Sequence, residues 1–387
     1  MRSFIPLSIP NFEGNERKYV DDALNQGWVS TGGAYITRLE QDLARFLRVD
    51  NVAACQSGSA AIHLALVDAG VGPEDVVIVP ALTFIAAVNP VRYQFATPVF
   101  MDCDDSLCMD PDKLEEFLSI ECKEENGVLC FRSKPVKAVI VVHIFGNAAD
   151  MERIVDIAHR YGITVIEDAT EALGTAYTAP ETSVTGKFAG TIGDYGAFSF
   201  NGNKIITTGG GGAVTAKDSR RVDHIRYLST QAKDDAKFYL HNEVGYNYRM
   251  TNLQAALGVA QLEELPEFIR RKNVNYELYK KAFDGYEKAY LKEFREGTDS
   301  NRWLYALEMD MDQIKMTPRE IVEALEEKGI QTRLVWGLIN EQTPYVNEYA
   351  FKLEKAPYYA SCILNIPSDV SLTEEEIEYV SRNIKEL

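Results

Sequence analysis

The chain has 387 residues, 46% hydrophobic and 25% charged, with 58 acidic against 40 basic side chains and a formal net charge of −18. That length exceeds what one hydrophobic core normally supports, so two domains are the default, and the composition is that of a globular protein. The acidic field repels phosphate polymers, which argues against nucleic-acid or anionic-membrane binding but leaves room for a small anion where basic groups gather locally. The opening Met1-Arg2-Ser3-Phe4-Ile5-Pro6 has no long apolar core after its charge, so no signal peptide is expected. The longest apolar run, 138–145, is too short to span a bilayer. Cys55, Cys103, Cys108, Cys122, Cys130 and Cys362 show no Cys-x-x-Cys spacing and the five histidines are scattered. No metal site is expected, and a reduced cytoplasmic enzyme is the simplest reading.

Taken in chain order, 36–47 has the apolar spacing of a helix, 52–55 reads as a short strand, 59–69 as a helix, and 76–79 as a β-branched strand stopped by Pro80. Segments 98–101, 138–143 and 164–166 are further buried strands, separated by helical stretches such as 151–161. Strands alternating with helices predict a mainly parallel sheet covered on both faces. The polar stretch 121–135 interrupts the pattern as a surface excursion. After the glycine run Gly209 to Gly212 comes one more strand, 213–216, then helix signals through 253–262 and on to about 289. Segment 303–309 alternates like a strand, 318–328 is a helix with Thr317 as N-cap, 330–335 is a strand and 371–384 a closing acidic helix. The expectation is a large α/β domain over residues 1–262, followed by a smaller α+β domain over 263–387.

Chemistry-bearing residues fall at the strand ends. Cys55-Gln56-Ser57-Gly58-Ser59-Ala60 joins a strand to a helix, and its small residues let backbone N–H groups at a helix N-terminus approach an anion. The same residues also read as an ordinary capping serine. Phe84, after the next strand, could cover one face of a cofactor ring, adding ~0.5–1.5 kcal/mol beyond its burial, or could be core. Asp168 ends a strand at the edge where sheet ligands bind, with Glu171 three residues on; the alternative is a helix-capping acid. Ser199 offers a hydroxyl five residues before Lys204. Lys204 precedes two threonines and the glycine run without P-loop spacing. Most lysines are solvated surface charges. A lysine amine can, however, condense with an aldehyde while a carboxylate keeps a pyridine nitrogen protonated. The conjunction of anion cup, aromatic, aspartate and lysine points to pyridoxal 5'-phosphate.

The order Ser57-Gly58-Ser59-Ala60, Thr83-Phe84, Glu167-Asp168-Ala169-Thr170-Glu171, Gly193-Asp194, Phe198-Ser199-Phe200, Lys204 and Gly245-Tyr246-Asn247-Tyr248-Arg249-Met250-Thr251-Asn252 resembles the DegT/StrS-type sugar-nucleotide aminotransferases over essentially the whole chain. The resemblance implies an aspartate-aminotransferase-like, fold type I α/β enzyme with a mainly parallel seven-stranded sheet in the large domain. It also implies pyridoxal phosphate as cofactor and a homodimer with shared active sites. By position, Lys204 matches the family's Schiff-base lysine and Asp168 its pyridinium partner. Gly58, Ser59 and Ser199 match phosphate ligands, and Phe84 and Glu171 match ring contacts. Asn247 and Arg249 match a segment that reaches into the neighbouring subunit's cofactor site.

Two departures fall near the expected sugar pocket. Gly210 stands where many members carry glutamate, and Trp336-Gly337-Leu338-Ile339-Asn340 lacks a histidine that often follows the tryptophan. The segments around Lys204 and Trp336 are most similar to the branch serving legionaminic acid synthesis. That likeness implies amination at C4 of a UDP-4-keto-6-deoxy-N-acetylhexosamine with L-glutamate as donor. A 3-aminotransferase, an enzyme for GDP- or dTDP-linked ketosugars and a non-catalytic cofactor-binding regulatory protein are the alternatives. A sugar dehydratase is disfavoured because that offshoot carries histidine at the Lys204 position. Lys233, Arg249 and Arg333 are candidates for the nucleotide diphosphate, or else form salt bridges.

Overall fold

The computed structural model describes residues 4–387; the leader reading over residues 1–3 lies outside them. Helices α1 (Glu16–Asn25) and α2 (Ala34–Leu47) precede β1 (Ala53–Cys55) and α3 (Gly58–Asp68). Then come β2 (Val76–Pro80), α4 (Asn89–Tyr93), β3 (Thr97–Met101) and α5 (Pro111–Ile120). A hairpin of β4 (Lys123–Glu125) and β5 (Val128–Phe131) leads into β6 (Lys134–Val142), α6 (Met151–Arg160) and β7 (Thr164–Asp168). After β8 (Ala176–Tyr177) the chain forms β9 (Tyr195–Ser199), β10 (Gly212–Ala216), α7 (Ser219–Ser229) and the long α8 (Asn252–Phe283). The remainder is β11 (Ala289–Leu291), β12 (Thr298–Asp299), β13 (Tyr305–Met309), α9 (Pro318–Glu327), β14 (Arg333–Leu334), α10 (Lys355–Cys362), β15 (Ile363–Ile366) and α11 (Glu374–Lys385).

Seven strands form the large sheet in the order β1-β10-β9-β7-β6-β2-β3, and the β4–β5 hairpin attached to β6 extends it to nine. The neighbours β2/β3, β2/β6, β6/β7 and β7/β9 run parallel, while β10 is antiparallel to both β9 and β1. The parallel strands are almost wholly buried runs such as Val76–Pro80, as a sheet covered on both faces requires. The 121–135 surface excursion is thus a β-hairpin. Its turn is Asn126-Gly127, both in the left-handed region (φ 53° and 80°), and the charged Lys123–Glu125 strand stays exposed at the edge.

Strand β9 has Gly196 inside it. A Cβ there would stand 1.9 Å from the Gly190 carbonyl oxygen, so only glycine permits the approach of loop and strand. The 330–335 strand shrinks to Arg333–Leu334 because Ile330 bridges to Ile5 from the start of the chain.

The second sheet, β11-β13-β15-β14, is antiparallel. It packs Tyr305, Leu307, Leu364 and Ile366 against Tyr276, Tyr279 and Phe283 from the last turns of α8. Val259, Leu265 and Phe268, earlier on α8, belong to the main core. One unbroken helix therefore serves both cores and passes straight through residue 262. Thr251 and Gln254 start it with a reciprocal capping box, and Thr317 with Glu320 does the same for α9.

A buried ion pair ties α2 to the edge strand. Glu40 takes the Arg249 guanidinium on both oxygens, with Nη2 to Oε2 at 3.2 Å, and also accepts the Ala54 amide at 2.7 Å. Arg249 donates further to the Ala54 carbonyl at 3.2 Å. Removing one partner of such a pair leaves a buried charge uncompensated. Glu40→Gln is expected to lower unfolding stability by about 3 kcal/mol in urea titration; an unchanged midpoint would show that the pair carries no load.

Candidate active site

Strands β1, β2, β6, β7 and β9 all point their carboxyl ends to the same edge of the sheet, and a cavity of about 340 Å³ opens there. The turn after β1 supplies Ser57, Gly58 and Ser59; the turn after β2 supplies Thr83 and Phe84; the end of β7 and the turn after it supply Asp168, Thr170 and Glu171; the end of β9 and the loop after it supply Ser199, Asn203 and Lys204. Seven of the nine site residues expected from sequence thus meet around one cavity: Gly58, Ser59, Phe84, Asp168, Glu171, Ser199 and Lys204.

The cup at the start of α3 is built by capping and by close approach. Ser57 is extended (φ −168°), and its hydroxyl accepts the Ala60 amide while its carbonyl accepts that of Ala61. That arrangement leaves the Gly58 and Ser59 amides at the open end of the helix, where the dipole favours an anion. A Cβ on Gly58 would stand 2.8 Å from Thr170 Cγ2 and 2.9 Å from Ser199 Cβ, so glycine lets three strand ends crowd together. Ser199 is buried at the closing side of this cup.

Two acids and the lysine occupy the floor. Asp168 is fully enclosed and accepts the Thr170 amide at 3.0 Å. Burial pushes its carboxyl above the usual carboxylate range, against the opposing pull of Thr170, Lys204 and His143. Glu171 is raised by burial as well, opposed first by Lys204. One oxygen of Glu171 accepts the Phe145 amide at 2.7 Å and the other lies 3.5 Å from Lys204 Nζ. The buried His143 accepts the Ala149 amide on Nδ1 and lies 3.0 Å from Glu167 through Nε2, which assigns the Nε2–H tautomer.

Phe84 is half exposed, with its ring 6.1 Å from that of Trp336, which in turn lies 5.1 Å from Phe145. An exposed aromatic at a cavity mouth is available to cover a planar ligand, which a core phenylalanine is not.

Asn247 and Arg249 do not line the cavity of their own chain. Asn247 is exposed and accepts from Gln231 at 3.2 Å. Arg249 is buried with its guanidinium committed to Glu40, which corrects its reading as a free basic group for a diphosphate. Lys233 and Arg333 are exposed and outside the cavity lining.

Trp303 was missed at the sequence level as a site residue, although it lines the cavity with its ring 4.1 Å from Lys204 Nζ. It arrives from beyond α8, and nothing local to Asn301-Arg302-Trp303 separates it from a core tryptophan. Thr170 was visible inside the Glu167–Glu171 motif without an assigned role.

The residues fit pyridoxal phosphate. The glycine cradle would be filled by any Cβ, and a buried carboxyl with a raised pKa gains from a cation placed beside it. Ser57–Ser59 and Ser199 would hold the phosphate, Asp168 the ring nitrogen, Phe84 a ring face and Lys204 the aldehyde carbon.

Among the described residues no helix is long and apolar enough to cross a membrane, and no group of histidine, cysteine or carboxylate side chains could hold a metal. All six cysteines are buried and unpaired.

The sequence model of the DegT/DnrJ/EryC1/StrS aminotransferase family matches residues 10–385. GDP-perosamine synthase of Caulobacter vibrioides is 35% identical over 97% of this chain and 96% of its own length. A GDP-perosamine synthase of Escherichia coli O157:H7 is 34% identical over 99% and 98% of the two chains. Among solved structures, a DegT DnrJ EryC1 StrS aminotransferase from Brucella abortus superposes with a TM-score of 0.84 at 26% identity, over 96% of this chain and 95% of its own. A family match across nearly the whole chain joins a cavity of the right chemistry: the protein belongs to the DegT/DnrJ/EryC1/StrS family of pyridoxal-phosphate-dependent aminotransferases.

Proposed function

We propose that the chain moves an amino group from L-glutamate to C4 of a nucleotide-linked 4-keto-6-deoxy sugar, with UDP-4-keto-6-deoxy-N-acetylhexosamine as the substrate its Lys204 and Trp336 segments favour. The observation that carries the transamination is the gathering of Lys204, Asp168 and the Gly58–Ser59 cup around one cavity. A GDP-linked ketosugar is the second reading, supported by the two relatives named GDP-perosamine synthase. Bound pyridoxal phosphate supplies an electron sink through which an amino group and a proton can be exchanged at the substrate carbon.

The chain's own groups have distinct tasks. Asp168, held by the Thr170 amide, would favour the protonated ring nitrogen. Lys204, released from the cofactor, would act as the base that moves a proton at the reacting carbon. Phe84 and Trp336 wall the entrance, limiting water. Gly210 lines the cavity without a side chain, and a Cβ there would meet nothing closer than 3.8 Å, so this wall is open to a substituent on the sugar.

A homodimer working in the cytoplasm is part of the same proposal. Trp28, Phe95, Phe238 and Tyr239 are exposed apolar side chains that a second copy would cover, and the exposed Asn247 would face that copy's cavity.

Incubation with glutamate and UDP-, GDP- or dTDP-linked 4-ketosugars, read by mass spectrometry, should show a keto-to-amine change with the UDP sugar above the other two. Loss of water, or no change with all three, defeats the reading. Lys204→Ala should lose the absorbance of lysine-bound cofactor and at least ~100-fold of turnover. Asp168→Asn should keep the cofactor yet slow turnover by on the order of 100-fold, and a wild-type rate would remove its assigned role.

The raised Asp168 carboxyl also sets a pH dependence of the cofactor-free protein. With the folded value above the unfolded one, its contribution to stability is complete below the ordinary carboxylate range and is lost as pH rises through the raised value. Cofactor-free Asp168→Asn should therefore melt above wild type at neutral pH, with the gap closing toward about pH 4. A constant gap across that range would exclude Asp168 as the titrating group.

A further inference from the structure

We infer that Trp303 is the seat for the Lys204 amine whenever that amine is free of the cofactor: the indole face and the Glu171 carboxylate together hold the ammonium formed when Lys204 takes up its proton. The inference rests on the transamination reading, in which Lys204 moves that proton.

Lys204 Nζ lies 4.1 Å from the centroid of the Trp303 ring and 3.5 Å from Glu171 Oε1. The lysine side chain is only 13% exposed and the glutamate side chain 4%. In so poorly hydrated a place a ring face attracts a cation more strongly than it does at an open surface.

Trp303 is held from every side. Its indole N–H donates to the carbonyl of Asn203, the residue before Lys204, at 2.7 Å. Its amide donates to Asn301 Oδ1 at 3.0 Å, and Asn301 Nδ2 donates to the Glu171 and Leu173 carbonyls at 2.9 and 3.0 Å. Its carbonyl accepts from Ser368 Oγ at 2.9 Å and from the buried Lys272 Nζ at 2.8 Å. Arg302 turns through the left-handed region (φ 50°) just before it. One network thus fixes the ring, the lysine loop and the acid against each other, so Trp303 acts as a positioning residue for the amine. Packing alone would require a partner for the indole N–H. It would not require that partner to be the lysine loop, nor the ring face to be turned to the amine.

Two variants separate the ring face from the hydrogen bond. Trp303→Phe keeps an aromatic face and loses the N–H; Trp303→Leu loses both. When holoenzyme is mixed with α-deuterated glutamate in a stopped-flow donor half-reaction, Trp303→Leu should slow the proton-transfer step on the order of tenfold, with Trp303→Phe much closer to wild type. The KM for glutamate should be nearly unchanged in both.

A second readout needs neither cofactor nor substrate. In cofactor-free protein, Lys204→Met should change the indole fluorescence, and the change should vanish in the Trp303→Phe background. A wild-type half-reaction rate in Trp303→Leu, a Trp303→Phe as slow as Trp303→Leu, or an emission unaltered by Lys204→Met would each overturn the inference. If Trp303→Leu does not fold, the fluorescence result decides. Neither arm uses a sugar, so a wrong sugar assignment leaves both untouched. A failure of the base assignment shows separately, as retained turnover in Lys204→Ala.

Discussion

The Glu167 carboxylate, fully buried in the middle of the sheet, is the group on which the geometry of the site depends. A charge in that position is tolerable only if its oxygens are saturated by donors. It accepts the amides of Ile192 and Gly193, both at 2.6 Å, and that of Gly190 at 2.9 Å, with His143 Nε2 at 3.0 Å. Those donors come from the end of β6 and from the loop that feeds β9, the two neighbours of β7. One side chain therefore sets the height of both strands against β7. Because side chains alternate along a strand, Glu167 on one face leaves Asp168 to serve the other. Asp194 adds to the clamp by exchanging bonds with Val165, accepting its amide and donating to its carbonyl.

From that clamp the cavity follows. With β7 and β9 locked, Thr170 just past β7 and Ser199 at the end of β9 approach the Gly58 turn closely enough that a methyl group on Gly58 has no room. Lys204 then reaches back across the floor to Glu171. Burial raises both carboxyls, with Lys204 pulling against it at each. A positively charged ring nitrogen beside Asp168 would offset part of the cost of burying that carboxyl.

Much of the fold was legible because the parallel strands are short apolar runs bounded by turn residues, and the helices carry apolar spacing and, at Thr317, a cap. What escaped was structure decided by context. Strand β9 carries a glycine and small residues that look weak as a strand until Gly190 packs against it. The hairpin at Asn126-Gly127 had a recognisable turn, but one flank is the exposed, fully charged Lys123–Glu125 and the other the continuous apolar run Val128–Phe131, so the alternation that would have exposed it is absent. The 330–335 run had good strand composition, yet Ile330 pairs with Ile5, more than three hundred positions away.

The order of residues by itself determined the chemistry. An anion cup, an aromatic and an aspartate at strand ends, with a lysine before a glycine run, converge at one edge of a parallel sheet, and one cofactor accounts for all of them. Tertiary structure alone decided which further side chains take part. Arg249 has the composition of a phosphate ligand, but Glu40 lies within reach and a buried guanidinium pairs with the nearest buried carboxylate, so it became part of the scaffold. Trp303 has the composition of a core residue, but its ring meets Lys204 because Asn301, Ser368 and Lys272 hold its backbone where the two cores join. Both outcomes depend on distances between segments far apart in the chain, which no local pattern records.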